Sequence, residues 1–184
     1  RELEEAKKKV EDLLRRILEE NERAHEESKK LIEEIRRLLK KMNEESEELR
    51  ERIRKKLEEN STSDKVVREV RKEIDRLVER SERVAKRLKE ELDRLLERSK
   101  KVSDDSRRKL KELLEEVEKV IRTLNSEDVE RALDDVRRLL REVERRSEEL
   151  LRTDEEAIRT LKKEIDKVLK ENKDKADRLK EEVN

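Results

Sequence analysis

Apolar positions in the first third of the chain fall on one line: Leu3, Ala6, Val10, Leu14, Ile17, Ala24, Leu31, Ile35, Leu39, Met42, Leu49, Ile53 and Leu57, with polar Asn21, Ser28 and Ser46 in the same phase. From Leu3 to Leu57 the line takes fifteen steps of about 3.6 residues, the period of an α-helix. The spacing returns as an eighteen-residue repeat: Leu13, Leu31, Leu49 and Ile17, Ile35, Ile53, then Leu77, Leu95, Leu113 and Val84, Val102, Val120, then Leu133, Leu151, Leu169. A heptad would repeat every ~3.5 residues and impose a left-handed supercoil. Eighteen residues in five turns keep the stripe from drifting, which predicts long, nearly straight helices.

Two segments interrupt the pattern, Asn60-Ser61-Thr62-Ser63-Asp64 and Asn125-Ser126-Glu127-Asp128. In each, Asn tolerates the left-handed conformation that ends a helix, and a following Ser can accept from the free amides of the next one. Asp64, Glu127 and Asp128 add negative charge where a first turn favours it. Three helices are predicted, over residues 2–59, 64–124 and 127–182. Loops this short make sequential helices antiparallel neighbours. The fold class is all-α, a single-chain antiparallel three-helix bundle occupying residues 1–184 as one domain.

Nine polar residues occupy core-phase positions: Asn21, Ser28 and Ser46, then Ser81, Ser99 and Ser106, then Ser147, Asp154 and Asn172. Antiparallel helices bring residues to one height when their numbers have a constant sum. Ser46 with Ser81, Ser28 with Ser99, and Asn21 with Ser106 share one sum. Ser81 with Asn172, Ser99 with Asp154, and Ser106 with Ser147 share another. The nine thus group into three layers: Asn21/Ser106/Ser147, Ser28/Ser99/Asp154 and Ser46/Ser81/Asn172. A desolvated polar group needs a partner, and layering lets one satisfy another while penalising other registers. The simpler alternative is that each hydroxyl bonds its own helix backbone. His25, one turn from Asn21 and Ser28, is placed to pair with Asp154 or to lie at the surface.

Composition removes most other chemistry. The 184 residues include 54 Lys+Arg and 54 Asp+Glu, for zero net charge, and no Gly, Pro, Cys, Phe, Tyr or Trp. Phosphate-cradling glycine loops, thiolates and disulfides are therefore excluded, and tight hairpins are disfavoured. At 59% charged and 30% hydrophobic the composition approaches that of disordered chains, but the balanced charge and strict apolar spacing belong to long helices and coiled coils, and the short apolar runs cannot span a bilayer. No secretory leader pattern opens it. Interleaved charges such as Arg15-Arg16, Lys55-Lys56 and Arg145-Arg146 lie beside carboxylates, and no aromatic is available for base stacking. Neither nucleic acid nor membrane is expected as a partner.

Two chemical constellations remain. Glu22-Arg23-Ala24-His25 has the Glu-x-x-His spacing of di-iron bundles, but such sites need two of these motifs and two further inward Glu, and the chain has one His. Ser28 or Ser99 with His25 and Asp154 forms a nominal Ser-His-Asp set, yet continuous helices use their own amides and leave none for an oxyanion hole. No catalytic, metal or cofactor site is expected.

The eighteen-residue repeat, the Glu/Lys/Arg surface, the Asn-Ser loops, the missing aromatics and the polar layers together resemble de novo designed, parametrically generated helical bundles with programmed buried hydrogen-bond networks. The resemblance covers the whole chain. It implies a stable scaffold without evolved activity, sometimes a component of an assembly or switch. A natural spectrin-like three-helix repeat would normally carry core Trp. Leu18, Leu38, Val78, Leu96, Leu114 and Leu139 widen the apolar stripe. If neighbouring helices cover them the chain is a monomer needing no partner, and if they stay exposed it self-associates or binds another helix.

Overall fold

The computed structural model describes residues 2–59, 63–123 and 127–183. These form three α-helices: α1, Glu2–Glu59; α2, Asp64–Thr123; and α3, Glu127–Glu182. Asn60, Ser61 and Thr62 of the first expected loop, Leu124 at the expected end of the second helix, and Asn125 and Ser126 of the second loop lie outside the described residues. At the start of α2, the Ser63 carbonyl accepts the Val67 amide at 3.1 Å, the bond a residue preceding a helix makes. Asp64 opens the first turn of α2, and Glu127, Asp128 and Glu130 that of α3, facing the positive end of each helix dipole.

The chain divides into two compact units, residues 1–30 with 95–156, and residues 31–94 with 157–184, so every helix contributes to both. In the first unit the core is built on Leu14 and Ile17 of α1, Leu110 and Val117 of α2, and Val129, Leu133, Val136, Leu140 and Val143 of α3. Leu18, Leu114 and Leu139 of the widened stripe pack against this core. In the second unit, Ile53, Val70, Ile74, Ala176 and Leu179 form a cluster that Val78 helps to cover. Ion pairs trace the helix directions within the second unit: Lys162 meets Asp93, Lys89 meets Asp166, and Lys180 meets Asp75, so α3 rises as α2 falls. In the first unit Lys7 reaches Asp135 and Arg146 reaches Glu22, which makes α1 and α3 parallel there.

The buried stripe departs from the sequence reading in one respect. Along α1 it passes through Leu14, Ile32 and Arg50, spaced by eighteen residues, and not through Leu13 and Leu31, which are exposed, or Leu49, which is half-buried. Val120 of the α2 repeat is exposed as well. A repeat fixes the phase of a stripe but not its centre, and in the pairs Leu13/Leu14 and Leu31/Ile32 it is the second residue that faces inward.

Candidate functional site

The most completely bonded polar cluster lies in the first unit. Asn21, on α1 one turn after Ile17, donates through Nδ2 to Ser147 Oγ of α3 at 2.7 Å and accepts through Oδ1 from Ser106 Oγ of α2 at 2.8 Å. All three residues are buried. One amide, which carries both donors and acceptors, thus joins three helices, and each serine offers a hydroxyl that can donate or accept.

Further along the same unit, His25 Nδ1 and Asp154 Oδ1 are hydrogen-bonded at 2.7 Å. With the carboxylate ionised, the ring Nδ1–H is the donor. Asp154 is only 5% exposed, and His25 is half-buried. Burial pushes the Asp154 carboxyl above its ordinary range, against the opposing pull of the His25 charge and hydrogen bond. Ser28 is buried, whereas Ser99 is half-buried and Ser103, outside the nine layer residues, is buried one turn beyond it. Ser99, Ser103, Asn21, Ser147, His25 and Asp154 help line a cavity of about 20 Å³, the size of a single water. Thr153, next to Asp154, donates instead to the Glu149 carbonyl of its own helix at 2.9 Å. The two fates open to a helical hydroxyl thus occur side by side.

In the second unit Ser46, Ser81 and Asn172 are all buried, and a fourth residue joins them. Arg50, one turn after Ser46 and 5% exposed, donates from Nη1 to Asn172 Oδ1 at 3.4 Å, while Arg50 Nη2 and Asn172 Nδ2 are buried without a partner. Burial holds the Arg50 guanidinium below its ordinary range, Glu47 pulling it up and Arg54 pushing it down. A guanidinium stays charged in proteins, so this is a buried cation on a neutral acceptor. Sequence reasoning missed Arg50 because arginine reads as surface, although its place eighteen residues after Ile32 put it in core phase.

Glu22 is engaged with Arg146 at 3.4 Å and does not accompany His25. Among the described residues no group of three or more His, Cys, Asp or Glu is placed to hold a metal ion, and no helix is long and apolar enough to cross a membrane. Of the nominal Ser-His-Asp set, Ser99, His25 and Asp154 line the water-sized cavity and Ser28 does not.

The architecture defines the class as a three-helix bundle. A solved structure described as "Computationally designed three helix bundle" is similar to this chain, with a TM-score of 0.58 and 21% identity, covering 99% of this chain and 90% of that one. No family model and no curated protein matches the sequence.

Proposed function

We propose that the chain is a designed structural scaffold with no evolved biochemical activity, held by an apolar core and specified by its buried polar layers. The Asn21 amide, bonded at once to Ser106 and Ser147, carries this reading: its polar chemistry is consumed in fixing helix register. The likeness to a designed bundle, with no natural family matching, supports it. In this reading residues 1–184 constitute one bundle, since each helix runs unbroken from one unit into the other. The chain is then a monomer, and catalysis is no part of its role.

A scaffold of this kind folds unaided. Helical circular dichroism is expected to be independent of concentration from the submicromolar range upward, with a single unfolding transition at high guanidinium, of the order of 5 M. Helicity that rises with concentration, or unfolding in low denaturant, would overturn the proposal. A second reading, a helical binding module, is favoured by one observation: an open groove between α1 and α2 of the second unit.

A further inference from the structure

The second unit carries a groove of about 520 Å³ lined by α1 and α2 and by no residue of α3. Its floor includes Met42, Leu77 and Leu88, and its wall includes Leu38, which is 44% exposed. Leu31, two turns earlier on α1, is 38% exposed and extends the apolar strip. The volume is that of a ligand cleft, but the groove is elongated, running from Glu73 to Glu91 of α2, about 27 Å at ~1.5 Å per residue. An elongated apolar trough between two helices fits a helix better than a compact molecule.

Charge selects which helix. Between Glu73 and Glu91 the α2 rim presents Arg76, Arg80 and Arg87. Among the described residues none of these three has a carboxylate within ion-pair distance, whereas Glu73 is engaged by Lys56 at 3.5 Å. Glu79, Glu82 and Glu90 of the same helix do not line the groove, and Glu91 does so only at its end, which leaves three arginines against one unengaged carboxylate on this rim. The α1 rim, with Lys41 and Glu45, is balanced. A partner lying in the trough therefore meets apolar side chains beneath it and unpaired guanidinium groups along one flank, which carboxylates satisfy bidentately.

We infer that this groove is a docking site for an amphipathic α-helix whose leucine-like stripe fills the trough and whose Glu or Asp flank lies along Arg76, Arg80 and Arg87. This rests on the binding-module reading and leaves the scaffold reading untouched. The test uses the full chain and two labelled peptides of about 20 residues, long enough to form a helix, with the same Leu stripe and either Glu or Lys on the flanks. Fluorescence anisotropy at low salt is expected to show the Glu peptide binding about tenfold more tightly than the Lys peptide, the gap closing at high salt. Arg76→Glu, Arg80→Glu and Arg87→Glu together should reverse the preference. Leu38→Lys should weaken both peptides while leaving circular dichroism unchanged. Equal binding of the two peptides, binding of neither to a folded chain, or a groove occupied by a second copy, seen as about twice the 22.4 kDa chain mass in light scattering, would each overturn the inference.

Discussion

At the scale of single residues, Arg50 and Asp154 are two charges taken into the interior on different terms. Arg50 has one acceptor, Asn172 Oδ1, and leaves Nη2 and Asn172 Nδ2 without partners, so desolvation is incompletely offset. Arg50→Leu should stabilise the chain by about 1–3 kcal/mol in guanidinium unfolding, and adding Asn172→Leu should stabilise it by more than the sum of the single changes, because no orphaned amide then remains. A destabilised Arg50→Leu would mean that the guanidinium has better partners than Asn172. Asp154 is held by His25, yet burial wins and its carboxyl lies above 3.8 in the folded chain. The folded state therefore binds this proton more readily than the unfolded state, and the contribution is fully present below pH 3.8 and lost as pH rises through the raised value. Asp154→Asn, which cannot ionise, should gain stability relative to the parent as pH climbs from about 4 towards neutrality. A gap that stays flat, or narrows, across that range would show that His25 compensates the carboxylate fully. Asp154 was open to sequence reasoning because its helix phase is polar against an apolar repeat, whereas Arg50 was masked by its own length, a stem that commonly covers apolar surface with the charge outside.

At the scale of helices, what the sequence made legible was period and punctuation. A repeat of eighteen residues defines which face of each helix is apolar, and Asn-Ser segments followed by acidic residues mark where helices stop and restart. Those two signals suffice for an all-α three-helix fold. Which of two adjacent apolar residues turns inward could not be read, since Leu31 and Ile32 differ little in hydrophobicity and the choice depends on the facing helices. The candidate layers were legible as positions with matching heights, but not as bonds: rotamers and partner helices decide that Asn21 reaches both Ser106 and Ser147 while Thr153 bonds its own backbone. The coupling of three helices through one amide has a measurable consequence. Asn21→Leu should cost about 1–3 kcal/mol, because Ser106 and Ser147 each lose a buried hydrogen-bond partner and face apolar methyls instead. Changing Asn21→Leu, Ser106→Ala and Ser147→Ala together should recover much of that loss. Purely additive effects in guanidinium unfolding would show that the three side chains do not act as one network.

At the scale of the whole molecule, stability and specificity come from different residues. The exposed ion pairs, such as Arg146 with Glu22 and Lys175 with Glu47, are worth little individually. The apolar clusters provide the driving force but discriminate poorly between registers, because one Leu or Ile layer resembles the next when the stripe repeats without drift. Polar layers penalise the wrong register, since a shifted helix sets Asn21, Asp154 or Asn172 against an apolar side chain. Replacing the polar layers throughout, together with the buried Arg50 and Ser103, by changing Asn21, Arg50, Asn172 and Asp154 to Leu and Ser28, Ser46, Ser81, Ser99, Ser103, Ser106 and Ser147 to Ala, should therefore separate the two properties. The all-apolar variant is expected to unfold at a higher guanidinium concentration than the parent, because far fewer desolvated polar groups remain uncompensated. It is also expected to lose uniqueness: light scattering after gel filtration should give a mixture of masses, and amide NMR spectra should broaden or multiply, where the parent gives one species near 22.4 kDa and one set of peaks. A variant that is both more stable and as monodisperse as the parent would show that core shape and loop length alone set the register, and the polar layers would then be incidental to specifying the fold.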